Sequence, residues 1–169
     1  MKKRGLVALG LALQLGFLIP PCLADWRMWQ CDARRSGYTP ESLPESLGLQ
    51  WVLELPRPRP AWQGAQERLR FDHQYEPILH KGKIFVPSMV SDRMTCHDVE
   101  TGAELWRFYA DGPVRLAAAA WEGRVYFASD DGYLYCLDAE SGALVWRFRG
   151  GPTDRFLIGN ERIISAWPA

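Results

Sequence analysis

The stretch TCHDVETGAELWRF, beginning at Thr95, is spelled again as YCLDAESGALVWRF from Tyr135, with eight of fourteen positions identical. The match is wider than that phrase. HKGKIFVPSMVSDRMTCHDVETGAELWRF from His80 aligns with WEGRVYFASDDGYLYCLDAESGALVWRF from Trp121, the first copy being one residue longer. Repetition at about forty residues marks an array of supersecondary units, each unable to bury its own apolar face without a neighbour. Eight Trp, seven Phe and six Tyr supply the large rigid surface that such neighbours would cover.

Each copy divides into four short strands. In the first they are PILH, KIFVPS, RMTCHD and ELWRF; in the second, VRLAAAA, RVYFAS, YLYCLD and ALVWRF, with a tight hairpin at Asp131-Gly132. Runs this short, broken so regularly by turn residues, do not suit helices. The predicted fold is all-β: an incomplete β-propeller with two nearly whole four-stranded antiparallel blades and partial flanking blades. The division expected is a leader over 1–24 and an arm, partial blade and proline-rich connector over 25–76. Blades follow over 77–110 and 111–150, and a truncated blade begins over 151–169.

Within the repeated phrase, Asp98 and Asp138 are placed to accept backbone N–H groups in the turn that follows. Gly102 and Gly142 give that turn a residue tolerant of positive φ. Trp106 and Trp146, four residues on, can lie across the turn or enter the seam with the next blade. The reading of these six residues is architectural.

The pattern D-x-x-[TS]-G-x-x-x-W, as DVETGAELW and DAESGALVW, resembles the blade repeat of the pyrroloquinoline-quinone (PQQ)-like β-propellers. The resemblance covers residues 77–149, with fainter extensions on either side. It implies a propeller fold but not an activity, because this repeat serves both enzymes and non-enzymes. In the quinone-dependent alcohol and glucose dehydrogenases it resembles, the cofactor and Ca²⁺ sit on the axis of a complete ring. None of those ligands maps onto a residue of this chain, and the adjacent cysteine pair of the alcohol enzymes is missing. No cofactor is therefore expected here; PQQ and Ca²⁺ belong to the alternative in which a complete parent protein is a quinoprotein oxidoreductase. The similar outer-membrane assembly lipoproteins give the non-catalytic alternative its precedent.

The flanks read less regularly. MKKR, an apolar run to Ile19 and the breaker PPCLA compose a secretory leader ending at Ala24. Export to the periplasm or the exterior follows, with peripheral outer-membrane association left open. Losing the leader removes Lys2, Lys3 and Arg4, leaving 17 basic against 20 acidic residues. That balance offers no basic field for a phosphate backbone and excludes nucleic acid as a partner. Trp51, in LQW, is expected to be the Trp of an incomplete blade, and Pro56–Trp62 an extended connector. GPTDRFLIGNERIIS opens like the preceding blade.

Chemistry has few candidates. His73, with Asp72, is placed to line the propeller face, and the pair are the ligand-face candidates. His97 stands where the other copy has Leu137, which points to packing. Asp130 and Asp131 read as hairpin residues rather than calcium ligands. No spacing of His, Cys and acids matches a metal site, so catalytic and metal residues are given as none. Cys31, Cys96 and Cys136 remain after the leader; the repeat puts Cys96 and Cys136 at equivalent positions, where equal burial is expected rather than a mutual bond. The chain reads as the N-terminal fragment of a longer propeller, and the functional expectation is an exported non-catalytic scaffold or protein-interaction module. It would engage a protein partner, or a second copy, through rim loops or exposed blade edges. The alternatives are the quinoprotein reading and an inert truncated product.

Overall fold

A computed structural model describes residues 25–58, 74–159 and 162–166. Among these residues there is no helix, and so none long and apolar enough to cross a membrane. Two four-stranded antiparallel sheets follow one another along the chain. Blade 1 is β1 (Ile78–His80), β2 (Lys83–Ser88), β3 (Arg93–Asp98) and β4 (Glu104–Tyr109), in that spatial order. Blade 2 repeats it with β5 (Ala119–Trp121), β6 (Arg124–Ala128), β7 (Tyr133–Asp138) and β8 (Leu144–Arg149). A two-stranded sheet of β9 (Phe156–Gly159) and β10 (Arg162–Ser165) opens a third unit and is tied back where Ser165 N–H donates to Asp130 O at 2.7 Å.

The two blades agree in register as well as order. Phe85, Cys96 and Trp106 stand opposite one another across β2, β3 and β4; Tyr126, Cys136 and Trp146 do so across β6, β7 and β8. Both ladders shift by a residue after the cysteine, between Cys96 and His97 and between Cys136 and Leu137. Bulges of this kind sharpen the local twist, and their identical placement shows that the repeat encodes strand shape as well as strand order.

The period of two then sorts side chains onto two faces. The face of blade 1 that meets blade 2 carries Phe85, Met94, Cys96, Trp106 and Phe108. Blade 2 answers with Val125, Phe127, Tyr135 and Leu137; these four share one buried cluster with Phe85, Met94 and Cys96, and Trp106 and Phe108 pack half-buried against it. Phe108 lies edge-on to Phe127 (6.1 Å) and to Tyr135 (5.5 Å), while Phe127 stacks on Tyr135 (5.2 Å). Edge-to-face and offset contacts of this type add about 0.5–1.5 kcal/mol per pair to the area term.

One expected strand is corrected. VRLAAAA was to form the whole first strand of blade 2, but only Ala119 and Ala120 of it lie in β5. Val114 and Ala118 are buried in the connection, Val114 with its N–H on Ser88 O at 3.3 Å, while Leu116 between them is exposed; the two buried residues are apolar because they are covered, not because they are paired. Cys96 and Cys136 are both buried and free. Burial pushes the Cys96 thiol up to about 12 and raises that of Cys136. Cys31 is free and buried as well, its thiol pointing to Asp25 O.

An arm that no local periodicity announces laces the inner strands together. Trp26 exchanges both backbone hydrogen bonds with Leu79 of β1 (2.8 and 3.0 Å), and Arg27 O accepts from Ala120 N of β5 at 2.8 Å. Asp25 anchors this arm: its carboxylate meets His80 Nδ1 at 3.1 Å and accepts from Lys81 N–H at 3.1 Å.

Candidate interaction surface

The repeated phrase builds a socket and a key. In the socket of blade 1, Asp98 Oδ1 accepts from Glu100 N–H (3.1 Å), Thr101 N–H (2.8 Å) and the Thr101 hydroxyl (2.7 Å). In blade 2, Asp138 Oδ1 accepts from Glu140 N–H (3.2 Å), Ser141 N–H (3.0 Å) and the Ser141 hydroxyl (2.9 Å). Those bonds favour the charged carboxylate. Chiefly the Thr101 hydroxyl for Asp98, and the Ser141 N–H for Asp138, hold each acid below the usual carboxylate range.

Each turn ends on a glycine with positive φ, +72° at Gly102 and +71° at Gly142. The indole that covers the turn comes from one unit earlier. Trp106 of blade 1 lies over Gly142 of blade 2 so closely that a Cβ there would sit 2.6 Å from its Cδ2. Its Nε1–H donates to Ala139 O at 3.1 Å. Trp51 repeats the arrangement on Gly102, at 2.7 Å from a would-be Cβ, with Nε1–H on Val99 O at 2.8 Å. Of the two placements open to these indoles, the seam with the next blade is the one adopted.

A pH prediction follows from the sockets. Because the folded pKa of Asp98 and of Asp138 lies below the unfolded value, their contribution is complete above the ordinary carboxylate range. It is lost as pH falls through that range toward the folded value. Urea midpoints of the wild type are expected to drop on acidification in that window, and the Asp98→Asn, Asp138→Asn double variant is expected to drop less. Parallel curves for the two proteins would refute the assignment.

Trp146 is the third key of the series, and no socket covers it among the described residues. It remains 41% exposed, beside Leu144 (47%), Val145 (45%) and Phe148 (64%). Of the corresponding residues of blade 1, Trp106 and Phe108 pack half-buried against the cluster, while Glu104 and Leu105 (48%) are exposed as well. The difference between the blades is thus confined to Trp146 and Phe148, beyond which the next unit is described only as β9 and β10.

A second feature is a groove of about 450 Å³ where the arm crosses the connection into β5, lined by Met28, Trp29, Arg35, Glu76, Leu116 and Ala118. Its polar groups are already engaged: the Arg35 guanidinium sits 4.6 Å over the Trp29 ring, and Glu76 Oε2 accepts from Ala117 N–H at 3.2 Å. Sequence reasoning missed this groove, since its two walls are far apart in the chain and neither carries a motif. Asp72 and His73, the ligand-face candidates, lie outside the described residues, as does the leader.

The remaining polar groups are bound into the frame. His97 is buried, with Nδ1 3.1 Å from Gly102 O and Nε2 3.1 Å from Thr95 Oγ1. The carbonyl can only accept, so Nδ1 carries the hydrogen. Asp131 is buried and accepts from the Tyr135 hydroxyl (2.6 Å), Asp111 N–H (3.1 Å) and Tyr133 N–H (2.9 Å). Asp130 meets Arg115 at 2.6 Å. His80 directs Nδ1 to Asp25 and buries Nε2 without a hydrogen-bond partner. Among the described residues, no group of three or more His, Cys, Asp or Glu stands together to hold a metal.

Comparison with known proteins gives the same architecture. The model of a family described as outer membrane protein assembly factor BamB matches residues 28–165. Among solved structures, the quinohemoprotein alcohol dehydrogenase of Comamonas testosteroni aligns at 21% identity and a TM-score of 0.51, over 75% of this chain and 19% of that one. BamB from Moraxella catarrhalis aligns at 18% identity and a TM-score of 0.39, over 52% of this chain and 32% of that one. The chain thus spans no more than about a third of either structure. A search of curated proteins finds no match. With its two blades in register and its family match running from the arm to β10, the chain belongs to the PQQ-like β-propeller family described by the assembly factor BamB.

Proposed function

We propose that this chain is part of an exported, non-catalytic propeller module that works by binding protein, and that the groove beside the arm is a place where it does so. The observation that carries the reading is the exposure of Trp29 (44%) and Leu116 (60%) on the walls of that groove. Aromatic anchors in a pre-formed face are what protein interfaces use for most of their binding energy. The leader read at residues 1–24 supports export, to the periplasm or beyond, with the outer membrane as a peripheral station. The family's description as an assembly factor agrees with a scaffold role.

The test is site-specific photo-crosslinking in the exporting cell, with the reactive residue at position 29 and, as control, at the exposed turn residue Glu122. Discrete protein adducts are expected from position 29 and not from 122; the same pattern from both sites would overturn the reading. The quinoprotein alternative is separated by titrating the purified chain with PQQ and Ca²⁺. No saturable binding is expected, and a tightly held, redox-active quinone would replace the scaffold by an oxidoreductase.

A further inference from the structure

Resting on the interaction-module reading, we propose that the groove beside the arm takes an extended acidic peptide. An apolar side chain of that peptide enters between Trp29 and Leu116, and a neighbouring carboxylate pairs with Arg35. Three observations lead there.

The first is a cation with unused donors. Arg107, Arg115, Arg124, Arg147 and Arg149, in the blades and the connection between them, each meet a carboxylate. Arg35 meets none among the described residues; its guanidinium lies 4.6 Å over the Trp29 ring instead. A guanidinium stacked on a ring is held by its flat face, and its N–H groups, which lie in the plane, stay free for a bidentate acceptor. The aromatic contact also fixes the long side chain in advance, so less rotamer freedom is left to lose when a carboxylate arrives.

The second is the state of the acids around it. Asp32 and Glu76 line the same groove, and their charges are balanced by Arg34 and Arg35. The acids, however, already accept from the chain's own donors. Asp32 Oδ1 accepts from the N–H groups of Arg34 (2.9 Å) and Ser36 (3.1 Å), and Oδ2 from the Ser36 hydroxyl (2.9 Å). Glu76 Oε2 accepts from Ala117 N–H at 3.2 Å. A basic peptide would have to compete with those bonds, whereas an acidic one meets donors that nothing competes for.

The third is rigidity. The loop from Met28 to Gly37 carries positive φ at three residues that are not glycine: Gln30 (56°), Cys31 (77°) and Arg35 (56°). Such backbone persists only where its surroundings over-determine it. Here Cys31 N–H donates to Met28 O (2.9 Å), Arg35 N–H to Asp32 O (2.9 Å) and Gly37 N–H to Gln30 O (3.0 Å), while the Cys31 side chain is buried. Trp29 and Arg35 are thus held against one wall of a volume of about 450 Å³, with Leu116 and Ala118 on the other. That volume admits a few side chains and not a folded surface, which selects an extended segment. Its apolar walls and single unpaired fork select a peptide over an anionic membrane, which is bound by several basic residues clustered at a surface.

Fluorescence anisotropy on the purified chain tests this, with a short labelled peptide of Leu and Glu in a Gly/Ser background and the same peptide with Gln or Lys for Glu. The Glu peptide is expected to bind saturably, and the Gln and Lys peptides at least about tenfold more weakly, the difference one charge-assisted pair makes. Arg35→Gln should weaken the Glu peptide about tenfold and leave the Glu and Gln peptides alike, a pattern that a merely structural role for Arg35 would not give. Arg35→Lys keeps the charge and loses the fork, and should fall between the wild type and Arg35→Gln. Trp29→Ala should weaken all three peptides together. Far-UV circular dichroism verifies that each variant keeps its β-sheet. Equal binding of the Glu and Gln peptides, no saturable binding of the Glu peptide, or an Arg35→Gln variant that binds as the wild type does would overturn the proposal. Displacement of the Glu peptide by phosphatidylglycerol vesicles would overturn it too, giving the groove to a lipid surface. If the Glu peptide fails to bind while position 29 still crosslinks to a protein, the acidic partner is excluded and the interaction module survives.

Discussion

Gly142→Val is expected to lower the stability of the chain by about 2–5 kcal/mol, read as a reduced urea midpoint at unchanged slope. Two penalties combine. A β-branched residue held at the φ of +71° found there adds roughly 1–2 kcal/mol of backbone strain. The new Cβ would also lie 2.6 Å from Trp106 Cδ2 and 2.7 Å from its Cε3, a separation real atoms do not sustain. The indole must back out, giving up its bond to Ala139 O and its place in the seam, which costs roughly 1–3 kcal/mol more. Gly123→Val isolates the first penalty: its φ is +74°, yet a Cβ there would meet nothing within 4 Å. Its loss should stay near about 1–2 kcal/mol. Gly102→Val should fall between the two, because Trp51 sits on a stretch that belongs to no sheet and can lift away. Equal losses at 142 and 123 would show that the indole does not bear on the turn.

Much of this frame was legible because it is local. KIFVPS, RMTCHD and YLYCLD are strands with the bounds their alternation and flanking turns indicated, namely β2, β3 and β7. The repeat itself carried the rest of the architecture, since a unit written twice at one spacing must bury the same face twice. Three things were not legible, each for a physical reason. Val114–Ala118 is as apolar as a strand, but burial of a connection and pairing in a sheet leave the same trace in composition. The target of each tryptophan could not be chosen, because four residues from its own glycine an indole can reach either its own turn or the seam. Only the stacking of blades decides that, and it sends Trp51 and Trp106 one unit forward. The arm at Asp25–Arg27 pairs with strands more than fifty positions away, through single residues that carry no period. For the ligand-face pair Asp72 and His73 the sequence reading stands alone, since they lie outside the described residues.

Trp106 and Trp146 share one sequence context and are expected to differ severalfold in what they contribute, which makes the pair the sharpest test of the architecture. Trp106→Ala should cost about 3–5 kcal/mol. The indole spans the seam, packs on Phe85 at 5.8 Å, covers Gly142 and donates to Ala139 O. Its loss leaves a cavity between two sheets that are each internally paired and cannot collapse to fill it. Trp106→Phe keeps a ring over the glycine but strands the Ala139 carbonyl, and should cost about 1–2 kcal/mol. Trp146→Ala removes the same side chain from the same register opposite Cys136, yet that side chain is 41% exposed and meets no socket among the described residues. Its removal should cost about 1 kcal/mol, the worth of its contact with Tyr126 and a part-buried ring. Urea unfolding of the three variants separates the keys by occupancy. If Trp146→Ala proved as damaging as Trp106→Ala, the indole would be serving its own blade, and the forward coupling of one unit to the next would have to be abandoned.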